Sequence, residues 1–318
     1  MHKRFHASYL LFGLSLFAPA ALIAQPAVTG DWYFAGMTVE YSNEEGSFQR
    51  ETGITAGKLS ITGNYSDGYS YVLNGTPFEE DAELFTSYTA DTLYRYDTYD
   101  LGLTTIRTMI QLVSPNLAFY KVFDVDYDSD HRIIDLGVDT FILSKTPFSS
   151  INLGALSPGV YNFSEKYHEV IGGNDIALPA TYESLSGTFE LSIGESTVTI
   201  IDDVEQILGV TQIAAVDGYS EAFSVLAGAS GGLTGDDFLV VQLNETEVAY
   251  GYVYASLGED GFLTFGEAGI GVASAIPEPS TYAAILGGLV LTGTMLRRRR
   301  RQFSGSGSEP AASGQPHF

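Results

Sequence analysis

The chain has 318 residues, no cysteine, and 39 Asp and Glu against 15 Lys and Arg, for a formal net charge of −24. The missing thiols exclude a disulfide framework, thiol catalysis and Cys-ligated metal. Between Gln25 and Ile276 stand 37 acidic and eight basic side chains; a body near −29 excludes affinity for a nucleic-acid backbone and favours solubility and attraction of counter-cations such as calcium.

Met1 to Ala24 has the plan of a secretory signal peptide: Lys3 and Arg4, the apolar stretch Tyr9 to Phe17, then small residues. Ala18-Pro19-Ala20 offers one cleavage site and Ala24 before Gln25 another; a retained N-terminal anchor is the alternative. The rest of the body reads as β almost throughout. Lys58 to Tyr65 alternates, with Leu59 and Ile61 on one face; Asp67-Gly68 turns the chain and Tyr69 to Leu73 runs back. Thr188 to Ile201 repeats the device around Gly194-Glu195-Ser196. Further strands are expected at Leu117 to Val125, Gly137 to Ser144, Phe238 to Leu243, Val248 to Ala255 and Gly261 to Phe265, in a chain whose many Tyr and Thr suit half-buried pleated surfaces. Short helices are expected at Asp202 to Leu208, with an Asp cap, and at Glu79 to Phe85.

An internal repeat runs through the body. Gly30-Asp31-Trp32-Tyr33-Phe34 is echoed by Gly159-Val160-Tyr161-Asn162-Phe163. Gln111-Leu112, Asn116 and Leu117 to Tyr120 are echoed by Gln242-Leu243, Asn244 and Val248 to Tyr250. The expected fold is therefore all-β, as two tandem antiparallel sandwich- or barrel-like units, 26–148 and 155–275, joined by Thr146 to Pro158. One large continuous β sandwich is the alternative.

Asp124, Asp126, Asp128, Asp130 and, downstream, Asp135 have the spacing of a calcium loop, in which hard oxygens converge on the ion. Ser129 stands where such a loop needs Gly, and the other reading is a strand and hairpin with Asp124, Asp126 and Asp128 on the solvent face, opposite Phe123, Val125 and Tyr127. Gly228-Ala229-Ser230-Gly231-Gly232 fits the G-x-S-x-G of a nucleophile elbow. That elbow requires a later His, the one later His is His317 near the end of the chain, and a flexible loop is the better reading. His131 and His168, the two histidines of the body, lack zinc-site spacing. No catalytic set emerges. Gly30-Asp31-Trp32 resembles the G-x-W start of lipocalin barrels; its other reading is a Trp plugging a β core.

Ile276 to Arg301 has three parts in fixed order. Pro277-Glu278-Pro279 breaks regular structure, Tyr282 to Leu296 is uncharged and mostly apolar, and Arg297, Arg298, Arg299, Arg300 and Arg301 form a basic block. The 15 residues of this stretch make about 22 Å of helix at roughly 1.5 Å per residue, against a hydrocarbon core about 30 Å thick. Snorkelling arginines make up part of the difference, and the positive-inside rule keeps them cytoplasmic. Residues 282–296 are thus expected as a C-terminal transmembrane helix, and 302–318 as a disordered tail.

Pro277, Glu278, Pro279 and Ser280, the apolar span and the Arg run together resemble the PEP-CTERM sorting signal of Gram-negative bacteria, also catalogued as the C-terminal domain of ice-binding proteins. The resemblance covers about 26 residues, 276–301. It implies export, recognition by a membrane exosortase, cleavage near Pro-Glu-Pro, and delivery to the cell surface or medium, often beside exopolysaccharide. An ice-binding face would show ranks of Thr along successive strands, and Thr197-x-Thr199 stands nearly alone as such a pair. The expected function is that of an exported, non-enzymatic structural or adhesive component of the envelope or matrix. Its alternative is a carbohydrate-active enzyme or carbohydrate-binding module at the cell surface. No cofactor other than calcium is expected.

Overall fold

The computed structural model describes residues 25–44, 47–77, 82–99, 103–171, 183–201, 205–214, 219, 222–229, 235–259 and 261–277. The expected signal peptide, Glu278, Pro279, Arg297 to Arg301, the apolar span and the tail lie outside the described residues, as do Ser230 to Gly232. Among the described residues no helix is long and apolar enough to cross a membrane.

The fold is all-β and antiparallel. The first run holds β1 (Gly30–Glu44), β2 (Ser47–Asn64), β3 (Gly68–Leu73), β4 (Thr76–Pro77), β5 (Ser87–Tyr88), β6 (Thr92–Tyr99), β7 (Thr104–Ser114), β8 (Leu117–Tyr127) and β9 (Ile133–Ser144). The second holds β10 (Gly159–Ile171), β11 (Glu183–Ile193), β12 (Thr197–Ile201), β13 (Glu205–Ile213), β14 (Phe223–Ala229), β15 (Gly235–Gln242), β16 (Glu247–Leu257) and β17 (Leu263–Ala275). The expected hairpins stand where the alternation puts them, with turns at 65–67 and 194–196. Asn74 and Gly75, both at positive φ, make the two-residue turn from β3 to β4, the geometry that favours Asn-Gly.

Each run curls on itself. In the first, β1 pairs with both β2 and β9, β5 to β9 pair in order, and a Tyr69–Glu83 bridge joins β3 to the segment before β5. In the second, β10 to β17 pair in order, and β10 pairs with β17 to close the ring. The Ile133–Leu263 pairing links the two rings into one antiparallel network, and the described residues up to Ser274 belong to one compact unit.

The interior of the first ring is packed solid at the end where β1 begins. Trp32, Phe34, Leu59, Ile61, Tyr71, Tyr120 and Phe141 fill it, and Trp32 donates its indole N–H to the Val28 carbonyl at 2.8 Å. The echo of that motif has the same place in the second ring. Tyr161, also buried, donates its hydroxyl to the Ser157 carbonyl at 2.7 Å, again four residues back.

A second core lies between the rings. Ala35, Met37, Val39, Phe123, Val125 and Ile142 of the first pack with Val225, Leu239, Val241, Ala249, Val253 and Ile270 of the second. Phe123 and Val125, expected on the buried side of a hairpin, are the first ring's contribution to this core. Small residues let the walls approach: a Cβ on Gly251 would stand 2.9 Å from Thr140 Oγ1.

Two short helices are corrected. Glu205–Ile213, which overlaps the expected helix Asp202 to Leu208, is strand β13. Val198 and Ile200 of β12 need a hydrogen-bonded neighbour that puts Leu208 on the same inner face, and tertiary pairing overrides the weak helical preference. Of Glu79 to Phe85, the described part, 82–85, is extended, with Glu83 bridged to Tyr69.

The shared core predicts joint unfolding. Leu239→Ala, at a fully buried site on β15, should cost about 2–5 kcal/mol. In urea, the fluorescence of Trp32, which lies in the other ring, should shift its midpoint together with far-UV dichroism. Two separate transitions would show that the rings unfold independently.

Candidate functional site

The second ring encloses a cavity of about 440 Å³, within the roughly 300–1,000 Å³ of small-molecule sites. Its walls follow from strand alternation. Phe163, Glu165 and Tyr167 of β10, Leu185, Phe189 and Leu191 of β11, Phe238 and Val240 of β15, and Val248, Tyr250 and Tyr252 of β16 recur at every second or fourth position and point inward.

The cavity has two unlike ends. Leu191, Val198, Leu208, Leu226, Val240 and Val248 line one end and are almost wholly buried. Glu165, Tyr167, Gln206, Asp236, Tyr252 and Glu267 gather towards the other, where exposure rises and Leu185 of the lining is 45% accessible. The closed end is therefore apolar and the mouth acidic. Aromatic rings stand between them: Phe238 stacks on Tyr252 at 5.7 Å, and Phe189 meets Tyr250 edge-on at 6.2 Å.

Hydrogen bonds hold the acids in place. Glu165 accepts from the Tyr250 hydroxyl at 2.5 Å and the Tyr252 hydroxyl at 3.2 Å. Gln206 donates its amide to Asp236. Burial, then the neighbouring Asp236, Glu165 and Glu169 carboxylates, push Glu267 up to about 7, against an opposing pull from Lys121. Burial and Asp237 raise Asp236. Behind the wall, Lys121 of β8 is fully buried and donates to the Ala268 carbonyl; burial pushes it down to about 7, opposed by Glu165 and Glu267. Asp237, facing away from the cavity on β15, forms a buried ion pair with Arg50.

The five aspartates with calcium-loop spacing fall into two places. Asp124 and Asp126 of β8 and Asp135 of β9 lie side by side, Asp126 directly across from Asp135. They share the inward face of the first ring, at the end away from Trp32, rather than a solvent face. Thr104 donates to Asp126 at 2.5 Å, and Asp124 Oδ1 is buried without a hydrogen-bond partner among the described residues. Burial and neighbouring carboxylates push Asp124 and Asp135 up to about 6; the neighbours are Asp126 and Asp139 for the first, Glu40, Asp126 and Asp124 for the second. Asp128 and Asp130 stand apart in the following turn. Asp128 accepts from the backbone N–H of Asp130 and of Arg132, both at 2.9 Å, and from the Arg132 guanidinium at 2.7 Å. The Asp130 side chain is largely exposed. Among the described residues no three acidic or His side chains converge as metal ligands do.

His131 sits in the same turn, at positive φ. His168 is buried between the rings, edge-on to Phe123 at 5.2 Å; burial, then Arg107 and Lys121, push it down to about 2, so it is neutral. Gly228 and Ala229 end strand β14, and Thr197 and Thr199 sit on β12. Pro277 is exposed. Glu165, Asp236 and Glu267, which converge on the cavity, come from three strands about 30 and 70 residues apart in the chain, and no local spacing announces them.

No family model and no curated protein matches the chain. Among solved structures it is similar to a protein of unknown function of the DUF3598 family from Nostoc punctiforme, at 11% identity and a TM-score of 0.32, over 78% of this chain and 96% of that one. It is also similar to two variants of the vaccine antigen transferrin binding protein B from Haemophilus parasuis. The double variant matches at 10% identity and a TM-score of 0.28, over 76% of this chain and 44% of that one. The single variant matches at 11% identity and 0.27, over 76% and 45%.

The Asp124–Asp135 pair makes stability pH-dependent. Both carboxyls hold a proton more tightly in the folded than in the unfolded state. Their stabilising contribution is therefore complete below their unfolded pKa values and is lost as pH rises to about 6. The melting temperature should fall between pH 5 and pH 7.5. Asp124→Asn with Asp135→Asn should flatten that fall and raise the value at pH 7.5. An unchanged slope would mean that the two carboxyls ionise freely.

Proposed function

We propose that the chain is an exported, non-catalytic binding protein of the cell surface or extracellular matrix, whose second ring takes up a small, mainly apolar molecule. The observation that carries the reading is the cavity: about 440 Å³, apolar at its closed end, polar only at its mouth. Burying a ligand against Leu191, Val198, Leu226, Val240 and Val248 removes apolar surface from water, which stabilises the complex without any covalent step.

The route to the surface rests on the sequence. The signal peptide exports the chain, and Pro277-Glu278-Pro279, the apolar span and Arg297 to Arg301 bring it to an exosortase in the membrane. An acidic body suits life beside anionic polymers by repelling them. The alternative of a carbohydrate-active enzyme or carbohydrate-binding module finds its carboxylates towards the mouth, in Glu165, Asp236 and Glu267, with Tyr167, Tyr250 and Tyr252 beside them.

N-Phenyl-1-naphthylamine, a neutral apolar dye, should bind with an increase in fluorescence. Leu226→Trp, which fills the closed end, should reduce that increase at least about tenfold in affinity, the equivalent of about 1.4 kcal/mol, while far-UV dichroism stays the same. No increase with the folded wild-type protein would overturn the cavity reading. For the sorting route, the intact mass of the mature protein from an exosortase-bearing host should lack the residues beyond the Pro277 region. A mass that retains Arg297 to Phe318 would reduce the C-terminus to an anchor.

A further inference from the structure

The walls of the cavity favour one shape of apolar body. Phe163 of β10 stands directly opposite Gly187 of β11, and Tyr252 of β16 directly opposite Gly269 of β17. Each ring leans onto its glycine: a Cβ on Gly187 would stand 2.8 Å from Phe163 Cε1, and one on Gly269 would run into the Tyr252 ring. A ring laid along the wall takes its bulk out of the lumen and turns a face to it. Phe238 of β15 is inclined only 28° to Tyr252 and extends that aromatic band. Strand β11, onto which Phe163 leans, and β15 are four strands apart in the second ring, β10 to β17. The two aromatic walls therefore look at each other across the lumen.

The space is also short and broad. Its floor is Tyr161, fully buried and parallel to Phe189 at 5.6 Å. The Tyr161 hydroxyl is tied to the Ser157 carbonyl, and Ser157 donates its N–H to Glu245, in the turn before Val248. From there the lining advances from Phe163 to Tyr167 on β10 and from Val248 to Tyr252 on β16, about 13 Å at roughly 3.3 Å per residue. Spread over that depth, 440 Å³ gives a mean section of about 34 Å². One extended hydrocarbon chain, about 4 Å across by its contact distances, fills less than half of that section and leaves the far wall without partners.

Resting on the cavity reading above, we propose that the ligand is a flat, fused-ring molecule. Its faces lie against Phe163 on one side and the Phe238–Tyr252 pair on the other, and its far end lies among Val198, Leu226 and Val248. Offset-stacked rings gain stability beyond the area they bury, and a broad body touches both walls where a chain touches one. Gly187 and Gly269 are then the positions that set specificity, because each decides whether an aromatic ring lies along the wall or in the lumen.

Three uncharged alcohols of equal carbon number separate the shapes: 2-naphthol, flat; decahydro-2-naphthol, a puckered ring; and 1-decanol, a chain. Each is titrated at pH 7 into the folded wild-type protein by calorimetry. 2-Naphthol should bind at least about threefold more tightly than either of the others, although decanol is the most apolar of the three. Phe163→Leu, which keeps the wall apolar, should cut the lead of 2-naphthol over its saturated counterpart to less than about twofold without weakening the saturated ring. Gly187→Ala, whose Cβ displaces only the far end of the Phe163 ring, should weaken both ring probes at least about fivefold with far-UV dichroism unchanged. A lead for decanol or for the saturated ring, or a 2-naphthol lead that survives Phe163→Leu, would overturn the flat ligand and leave the cavity reading in place. So would failure of all three alcohols where N-phenyl-1-naphthylamine binds. Failure of the dye as well would overturn both.

Discussion

The structure depends on one wall that is buried on both sides. Strands β15, β16 and β17 present Phe238, Val240, Val248, Tyr250 and Tyr252 to the cavity and Leu239, Val241, Ala249, Val253 and Ile270 to the first ring. Alternation usually gives a sheet one apolar and one wet face. Here both faces are apolar, and the reason lies outside the second ring: its own interior is hollow and adds little packing. The wall is held instead by the core between the rings, where about 25 cal/mol accrues for each Å² of apolar surface removed from water. A ring with a hole in it is thus stabilised by its neighbour, which is filled.

That arrangement also explains the buried charges. Lys121, Arg107 and His168 lie between the rings at almost no exposure, an expensive placement unless opposite charge is near. Lys121 is held by the Ala268 carbonyl and by the field of Glu165 and Glu267 through the wall. Arg50 and Asp237 make the same exchange farther along β15. The acids of the mouth therefore belong to a charge network that extends behind the wall.

Much of the fold was legible in the sequence, because alternation survives wherever one face is buried. Leu59 and Ile61, Phe189 and Leu191, and Phe123 and Val125 were read to the correct sides of their strands. Strand β17 was legible only to Phe265. Its Gly266, Gly269 and Gly271 weaken any local preference for a strand, and what holds it is distant: a Cβ on Gly269 would stand 2.2 Å from the Tyr252 ring, so the ring lies over bare backbone. The expected helix Asp202 to Leu208 rests on an Asp that imitates a cap, while the pairing of β13 with β12 is invisible in a local window. The site was less legible than the fold. Asp124 to Asp130 drew attention by their close spacing, whereas the carboxylates of the cavity are brought together only by closure of the ring. The signal that could have found them is the inward period of Phe163, Glu165 and Tyr167 beside that of Val248, Tyr250 and Tyr252: acids or phenols in register where a filled barrel would carry aliphatic residues.

The two rings express one plan with opposite contents. Each starts at a glycine of positive φ, Gly30 or Gly159. Each buries an aromatic two residues later, tied to a carbonyl four residues back. Each has an apolar end near that aromatic and an acidic end away from it, with Glu40, Asp124, Asp126, Asp135 and Asp139 in the first and Glu165, Asp236 and Glu267 in the second. Trp32, Phe34, Tyr71, Tyr120 and Phe141 close the first ring from within. In the second, Leu191, Val198, Leu226, Val240 and Val248 line the corresponding space with shorter side chains, which do not meet across it. Volume decides the division of labour: large rings at the apolar end make a scaffold, aliphatic residues at the same depth leave room, and the acidic end shared by both plans becomes a mouth only where there is a space behind it.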